Sequence, residues 1–411
     1  MVQYLKYVKT LTAQPILALA SAILCLFCLS CSPLSSRIIY DSKPSVERLR
    51  LGQTTLEAEV DELARPLIRS GEATCLDIGI LLPDGSIRSY GYGRVRDTGP
   101  VTWPNGNTIF QIGSVSKLFT ASVLELLVEE GKFKYTDTVR DILPKDVELS
   151  PDMAKITLYE LIANTSGLPR EPVTLKQLRF IINYEFTGEN IYGYMDKAWL
   201  REYLKTAKTN KKSHKFIYSN VGYGILAHLI EIRMDKPFQD LVAEKIFSPL
   251  NMRDTVFSLS REQQGRQAME HVGDQPFFMI RNTPMKPWDM GEVMAPSGGI
   301  YSTVNDLLIY AKHTLGMEKS PLNAVLIKTT EPKVHQQDGE VSALGWTISE
   351  SGDDHTEITY KHGMVSGCSA YIGMNMSKKI AVVVLCGAFN WNDKIGQNLI
   401  IRLSQSSDYL R

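Results

Sequence analysis

The stretch "GSVSKLFTASVLELLVEEGK" (residues 113–132) combines a core helix with two polar side chains at its start. Its apolar residues recur at helical spacing and predict a helix that begins at Ser114 and faces a core: Leu118, Val123, Leu124, Leu126 and Leu127. Lys117 follows Ser114 by one turn, and an ammonium group is costly to bury without a partner. The stretch therefore raises the question of what a lysine does at the start of a core helix.

Ser114 and Lys117 are spaced so that both side chains lie on one face of the predicted helix. A serine hydroxyl becomes a good nucleophile only when a neighbouring base takes its proton. A lysine amine can be that base when desolvation and nearby positive charge lower its pKa well below roughly 10.4. The N–H groups of a helix N-terminus also favour developing negative charge. The pair alone has an ordinary alternative, an N-cap serine beside a lysine that reaches solvent, because Ser-x-x-Lys occurs by chance in long chains.

Two further motifs make the chance interpretation much weaker. The segment "FIYSNVGYG" (216–224) places Tyr-Ser-Asn just before a predicted helix, and "TYKHGMVSGCSAYIG" (359–373) places Lys-His-Gly at the end of a predicted strand. Serine–lysine acyl-transfer enzymes use Ser-x-x-Lys, then Tyr/Ser-x-Asn, then Lys-Thr-Gly. All three occur here in that order and in those contexts, so the joint match is specific.

Length and composition describe a folded, charge-balanced chain. The 411 residues are 44% hydrophobic and 22% charged, which excludes disorder and suffices for one large domain or two smaller ones. Lys+Arg and Asp+Glu number 45 each, so bulk charge does not indicate a nucleic-acid partner. The seven histidines show no H-E-x-x-H or paired-cysteine spacing. We therefore predict no nucleic-acid partner, no metal site and no cofactor.

The first 31 residues are predicted to be a processing segment rather than part of the fold. Lys6 and Lys9 precede the apolar run "PILALASAILCLFCLS" (15–30), which is too short for a comfortable membrane span. The following Cys31 fits a bacterial lipoprotein signal in which this cysteine carries the lipid, although Cys28 is unusual three positions earlier. An ordinary secretory signal cut nearby and an uncleaved anchor are the alternatives. Each predicts export to the cell envelope or periplasm, with membrane contact only through this N-terminal signal or lipid.

The rest of the chain divides into a polar leader (32–64) and one catalytic domain (65–405). Alternating apolar residues around a Pro-Asp-Gly turn predict a hairpin over 75–94, and the text from about 145 to 290 is helical and loop-rich. Strands return near the C-terminus, and the nearly all-apolar "KIAVVVLCGAF" (379–389) is expected to be central. The predicted fold class is α/β in the α+β sense. It is a mostly antiparallel sheet built from both ends of the chain, with flanking helices and an inserted all-helical region.

Three cysteines remain in the predicted domain, Cys75, Cys368 and Cys386, all in strand-like text. In an oxidising compartment they allow one disulfide and one free thiol, or no disulfide. The sequence does not choose between Cys75 and Cys368 as a partner for Cys386.

With these motifs, the chain resembles the serine β-lactamase and penicillin-binding DD-peptidase superfamily, on the class C side where the middle motif carries tyrosine. The resemblance extends over about 65–405 and includes the landmarks "ITLYELIANTSGLPR" (156–170), "APSGGIYSTVNDLL" (295–308) and "LGWTI" (344–348). It implies a mostly antiparallel sheet packed by helices, an all-helical region beside it, and an active site between the two. That layout agrees with the one predicted from the pattern.

The resemblance also implies catalytic roles for four side chains. Ser114 would attack the substrate carbonyl and form an acyl-enzyme, and Lys117 would accept its proton or hold the base. Tyr218, polarised by Lys117 and Lys361, would carry the proton to the leaving nitrogen. Lys361 would add positive charge that attracts a substrate carboxylate.

Substrate-binding roles follow for the neighbouring motif positions. Asn220 would orient Lys117 or the substrate amide, and the N–H groups of Ser114 and Met364, beside Gly363, would form the oxyanion hole. His362 stands where the family usually has threonine or serine, so it could donate to a substrate carboxylate or be a packed strand histidine. This departure puts the substrate preference in doubt more than the catalysis.

Three functions are compatible with the sequence. The first is a serine hydrolase that acts on D-Ala-D-Ala peptidoglycan stem peptides, on β-lactams, or on both. The second is an esterase or D-amino-acid amidase on the same scaffold, although a carboxylate-binding Lys361 counts against it. The third is a non-catalytic binding module, which the intact set of motif residues makes the weakest of the three.

Overall fold

The computed structural model describes residues 55–405, apart from 173, 211–214, 337–338, 353–354 and 391–392. The predicted signal segment and the lipidation at Cys31 lie outside the described residues, as does most of the predicted polar leader. Across the described part of the chain, no helix is both long enough and apolar enough to span a bilayer.

Eight strands form one antiparallel sheet in the order β2-β1-β12-β11-β10-β9-β8-β7. The strands of this sheet are β1 Cys75–Leu81, β2 Ile87–Gly93, β7 Val334–His335, β8 Val341–Ser342, β9 Thr347–Ser351, β10 Thr356–Val365, β11 Cys368–Asn375 and β12 Ile380–Cys386. Two small pairs stand apart, β3 Phe110–Gln111 with β6 Tyr301–Ser302 and β4 Glu270–His271 with β5 Pro284–Met285. Because β1 pairs with β12, placing Ile78 opposite Val384, the prediction of a sheet built from both ends of the chain is confirmed.

The helices surround this sheet and fill the middle of the chain. Their bounds are α1 Thr55–Arg69, α2 Ser116–Glu129, α3 Val139–Ile142, α4 Leu158–Ile162, α5 Leu175–Thr187, α6 Lys197–Thr206, α7 Asn220–Met234, α8 Phe238–Val242, α9 Arg261–Arg266, α10 Gly291–Gly298, α11 Val304–Thr314, α12 Asn323–Thr329 and α13 Asp393–Gln405. Short 3-10 turns lie at Gly113–Val115 and Met153–Lys155, and α8 continues into a π-helical turn at Ala243–Phe247. Local signals fix several ends, as at α4, where Thr157 and Glu160 form a reciprocal capping box.

Strand β12 is buried along its whole length, as its apolar sequence predicts, because both faces of the sheet are covered. On one face Ile78, Val382 and Val384 pack in a cluster with residues of α1 and α13, and on the other Val383 and Leu385 pack with residues of α2 and α11. The alternation along β12 thus separates two apolar layers. The second layer is the one that joins the sheet to the helix bearing Ser114 and Lys117.

Two parts of the predicted layout differ from the structure. Residues 55–64, assigned to the polar leader, belong to α1, whose Leu56, Val60 and Ala64 are buried because their four-residue spacing lines one helix face. The region 145–290 consists of helices and loops, as predicted, but it also contains the short pair β4–β5, so it is not all-helical. The predicted hairpin over 75–94 is confirmed as β1 and β2.

The cysteine alternatives also resolve. Cys75, Cys368 and Cys386 are buried free thiols, so none of them is in a disulfide. Burial raises the pKa of each thiol, which keeps all three protonated and unreactive.

Candidate active site

Ser114 lies in the 3-10 turn Gly113–Val115, and α2 begins two residues later at Ser116. The prediction that the helix starts at Ser114 is therefore wrong by two residues. Gly113 has φ of +49°, so the chain enters the turn in a conformation that a side chain would resist. This tight entry leaves Ser114 partly exposed, whereas Lys117, in the first turn of α2, is fully buried.

The Lys117 side chain lies against three oxygen atoms from three separate segments. Its Nζ donates to Asn220 Oδ1 at 2.7 Å and to the Ser297 carbonyl at 2.6 Å, and it lies 3.1 Å from Ser114 Oγ, within hydrogen-bond distance. Asn220 is the first residue of α7 and Ser297 lies in α10. Tertiary contacts therefore supply the partners that a lysine in a core helix requires.

The surroundings of Lys117 favour its neutral amine. Burial lowers its pKa well below the ordinary value, and the positive charges of Lys361 and Arg170 act in the same direction. Glu171 opposes them and raises the pKa. A lowered pKa increases the share of the neutral amine, which is the form of a lysine that can accept a proton.

Tyr218 sits among three cationic groups. The Nζ atoms of Lys117 and Lys361 lie 5.0 and 4.9 Å from its ring centroid, and Arg170 Cζ lies 5.1 Å from it. The phenol also hydrogen-bonds to the Ser114 side chain. Burial raises the pKa of Tyr218 and outweighs the lowering by Arg170, so the resting side chain is a neutral phenol.

Lys361 lies inside β10 rather than at its end, where the sequence placed it. Its side chain is buried beneath the site, and burial together with Arg170 lowers its pKa to about 7. Around neutral pH this lysine is therefore divided between its cationic and neutral forms. Because Lys117 and Lys361 each affect the other's charge, their titrations belong to the cluster.

Two close backbone contacts join β10 to the turn that carries the serine. A Cβ atom added to Gly363 would lie 2.1 Å from the Ile112 carbonyl oxygen and 2.7 Å from the Ser114 nitrogen. A Cβ added to Gly113 would lie 2.6 Å from the Met364 nitrogen. The backbone nitrogens of Ser114 and Met364 thus lie along one seam between β10 and this turn, and their role as oxyanion donors stays a prediction.

Replacing Gly363 by Ala is expected to force this seam apart. We expect a stability loss of about 1–3 kcal/mol from overpacking and an acylation rate lower by about 10²-fold to 10³-fold from the displaced donor. Thermal melting and stopped-flow acylation measure the two effects. Gly265→Ala is the matched control, because an added Cβ there meets no atom within 4 Å. An acylation rate within threefold of wild type would contradict the claim that this seam positions the oxyanion donors.

His362 is half-buried on the same strand, with 41% of its side chain exposed and Nδ1 at 3.4 Å from Asp393 Oδ2. Its ring also lies beside that of Tyr360, with the centroids 6.2 Å apart. Burial lowers the pKa of His362, and the charges of Lys361, Arg170 and Lys117 add to this effect. The imidazole is therefore neutral near physiological pH, and its contact with a substrate carboxylate stays a prediction.

The structure adds residues to the site that the sequence did not single out. Arg170 and Glu171 follow the landmark "SGLP", and Tyr192 comes from the loop before α6. The Glu171 carboxylate accepts from Asn220 Nδ2 at 2.5 Å and from the Tyr192 hydroxyl at 2.6 Å. Their position directly after a family landmark is the only sequence signal for the first two, and nothing local marks Tyr192.

Asn164, within the landmark over 156–170, supports the segment that carries Tyr218. Its φ is +57°, a conformation that asparagine tolerates better than most residues. Its Oδ1 accepts from the Ser219 N–H at 2.9 Å and its carbonyl accepts from the Ile217 N–H at 2.7 Å. Two bonds thus bracket Tyr218 and fix where its ring lies.

The chain also matches the model of a known family. A model of the Beta-lactamase family matches residues 80–405 of this chain. The chain belongs to that family. Within the described ranges, this β-lactamase-family chain has no cluster of histidine, cysteine, aspartate and glutamate side chains able to hold a metal ion.

Named relatives of this β-lactamase-family chain include both peptidases and β-lactamases. The D-alanyl-D-alanine-carboxypeptidase/endopeptidase AmpH of Escherichia coli is 25% identical over 341 residues, 79% of this chain and 82% of that protein. A beta-lactamase of Pseudomonas fluorescens is 27% identical over 302 residues, 72% of this chain and 75% of that protein. The class C beta lactamase from Rhodobacter sphaeroides superposes with a TM-score of 0.68 at 19% identity, covering 85% of this chain and 99% of that structure. This structural likeness establishes the fold.

Proposed function

We propose that this chain is a serine hydrolase that forms an acyl-enzyme at Ser114 with β-lactams and with D-Ala-D-Ala peptidoglycan peptides. The observation that carries the proposal is the buried Lys117, whose Nζ lies 3.1 Å from Ser114 Oγ and whose pKa lies well below the ordinary value. The names of the relatives, a DD-carboxypeptidase/endopeptidase and a beta-lactamase, support this substrate class.

The hydrogen bonds of Lys117 favour it as the base that activates the serine. A neutral amine has two N–H groups and one lone pair. Asn220 Oδ1 at 2.7 Å and the Ser297 carbonyl at 2.6 Å can accept only, so they take the two N–H groups. The lone pair then faces the Ser114 hydroxyl, which donates its proton to Nζ as Oγ attacks the carbonyl carbon.

The remaining steps assign the other predicted residues. The Ser114 and Met364 N–H groups hold the oxyanion, each donor contributing typically about 2.7–4 kcal/mol. When the C–N bond breaks, the Tyr218 phenol gives its proton to the leaving nitrogen and regains one from the Lys117 ammonium. Water then attacks the acyl ester at Ser114, and Tyr218 and Lys117 take its proton. This releases the product and returns the proton to Ser114 Oγ. Lys361 and Arg170 supply positive charge for a substrate carboxylate.

The proposal extends to the location of the protein. We propose that residues 1–31 direct export to the bacterial envelope and that Cys31 carries a lipid anchor. The catalytic domain predicted over 65–405 is then extended at its start by α1, which packs on the sheet. Peptidoglycan stem peptides are met in that compartment, which supports the substrate assignment. Mass spectrometry of the mature protein from membranes tests the lipid directly, because a diacylated N-terminal Cys31 peptide has a distinct mass, and an unmodified peptide ending elsewhere would contradict it.

Intact-protein mass spectrometry after mixing with a penicillin tests the enzyme assignment. A lasting adduct mapped to Ser114 is expected for a DD-peptidase, because acylation is then fast and deacylation slow. Rapid loss of the penicillin with unmodified protein is expected for a β-lactamase. If the penicillin forms no adduct and is not hydrolysed, the proposal is contradicted. Short-chain esters would then test the esterase alternative.

The charge on Lys361 predicts a pH-dependent substrate preference. Its pKa of about 7 means that the ammonium is present below neutral pH and is lost as pH rises. We expect the ratio of kcat/KM for a penicillin to kcat/KM for its uncharged methyl ester to fall as pH rises through about 7, where this lysine loses its charge. Taking the ratio cancels effects on Lys117 that both substrates share. A ratio that is flat with pH in wild type, or equally steep in Lys361→Met, would contradict this role.

A further inference from the structure

A short chain of polar groups links Glu171 to the catalytic lysine. Glu171 Oε1 accepts from Asn220 Nδ2 at 2.5 Å, and Asn220 Oδ1 accepts from Lys117 Nζ at 2.7 Å. The Tyr192 hydroxyl donates to the same Oε1 at 2.6 Å and lies 3.2 Å from Asn220 Nδ2, from which it can accept. Asn220 therefore bridges a carboxylate on one side and the base of the reaction on the other.

This arrangement decides which way the Asn220 amide faces. A carboxylate oxygen can only accept, so the NH₂ end of the amide must point toward Glu171. The carbonyl end is then turned to Lys117, where it accepts one N–H and leaves the amine lone pair for Ser114. With the amide reversed, its NH₂ would face the lysine N–H groups and its oxygen would face the carboxylate, which is unfavourable on both sides.

Glu171 also acts on the cluster through its charge. It is the acidic group that raises the pKa of Lys117, against the lowering by burial, Lys361 and Arg170. Its own pKa is raised by burial and lowered by bonds to Tyr192 and Asn220 and by nearby cations. The charged and titratable groups that interact with it are Arg170, Lys117, Tyr192, Tyr194, Tyr203 and Tyr218.

We propose that Glu171 is a positioning residue that acts through Asn220 to orient Lys117 and to set the lower pH limit of acylation. The inference rests on the proposed function, because it concerns the base of the same acyl-enzyme step. It adds a residue that the three motifs do not contain. Glu171 does not contact the reacting atoms, and its effect is transmitted by one amide and by charge.

The Glu171→Gln variant tests both effects in the full-length chain. A glutamine keeps the size and one acceptor oxygen, but it replaces the second oxygen by an NH₂ donor and carries no negative charge. The Asn220 amide is then no longer held in one orientation by a group that can only accept. We expect kcat/KM for a penicillin to fall about tenfold to a hundredfold. We also expect the acid limb of its pH profile to move about one pH unit lower, because a negative charge that stabilised the Lys117 ammonium is gone. A role limited to packing would lower the rate without moving the limb.

Two further variants complete the experiment. Glu125→Gln removes another buried carboxylate, in the same helix as Lys117 but paired with Lys328, and is expected to leave the acid limb in place. Glu171→Asp keeps the charge on a shorter side chain, so we expect a lower kcat/KM with an acid limb close to wild type. If Glu171→Gln does not fold, Glu171→Asp becomes the test of the inference. An unchanged kcat/KM in Glu171→Asp overturns the inference.

The outcomes separate this inference from the proposed function. Wild type that forms no adduct and hydrolyses no penicillin contradicts the proposed function itself. Wild type that acylates, together with a Glu171→Gln acid limb that coincides with it, overturns only the role of Glu171. Equal shifts in Glu171→Gln and Glu125→Gln would also overturn it, because the effect would then be one of general charge.

Discussion

Replacing Ser114 by Ala is expected to abolish both the covalent adduct and the turnover of penicillin. The oxygen that forms the bond to the substrate carbonyl is removed, and the oxyanion donors and Lys117 have no other hydroxyl in the same position. In a serine protease, loss of the nucleophile costs about 2 × 10⁶ in kcat. We expect a comparable loss here, limited by the detection of residual hydrolysis. Steady-state hydrolysis and intact mass after penicillin treatment measure it.

The control for this variant is a serine on the same helix. Ser122 is buried in α2, where its Oγ donates to the Leu118 carbonyl at 2.9 Å and lies 2.9 Å from the Tyr310 hydroxyl, away from the lysine. Ser122→Ala is expected to lose some stability and to keep the adduct. We expect Ser114→Ala still to bind penicillin without turning it over, because Lys361 is unchanged in this variant. An adduct that persists in Ser114→Ala would show that another residue is the nucleophile.

Replacing Lys117 by Met is expected to be the next most damaging change. Met fills a similar volume in the apolar helix but offers no lone pair to the Ser114 hydroxyl, so the serine must lose its proton without the base. General-base contributions are typically about 10²–10⁴-fold, and we expect the acylation rate to fall toward the upper end. Stopped-flow acylation with a chromogenic β-lactam measures it directly.

The same variant is expected to cost little stability. Folding buries Lys117 completely and lowers its pKa well below the unfolded value, so the folded state resists carrying the proton. The unfolded chain binds that proton, and this penalty grows as pH falls below the unfolded pKa. Lys117→Met removes the penalty, while the Asn220 and Ser297 oxygens lose a donor. We expect a Tm close to or above wild type at neutral pH, with the difference growing toward acid. A large fall in Tm would instead identify Lys117 as mainly structural.

Local sequence signals predicted the parts of the fold in which one short segment decides its own structure. The hairpin β1–β2 follows from alternation around a Pro-Asp-Gly turn, and the all-apolar β12 follows from burial on both faces. Helix α2 follows from the helical spacing of its apolar residues. Helix α5 was not predicted individually. Its apolar residues Leu175, Ile182 and Phe186 are exposed, so the apolar pattern of this segment does not indicate which helix face is buried.

The motif residues gave the chemistry of the site by themselves. Ser-x-x-Lys, Tyr-Ser-Asn and Lys-His-Gly predict a nucleophile, a base and a cation, and their order in the chain predicts the family, which is confirmed. Such predictions are possible because each motif is a local geometry, such as one helical turn between Ser114 and Lys117, that short-range backbone rules enforce.

Only the tertiary structure decided the pKa values and the orientations of those groups. The lowered pKa of Lys117 depends on burial and on Lys361 and Arg170, which come from distant parts of the chain. The orientation of Asn220 depends on Glu171, which no motif marks. Spacing along the chain does not determine which separate segments meet, and desolvation and charge act through space. The sequence alone therefore determined which reaction the residues can perform, and the packing of the fold decided their protonation and orientation.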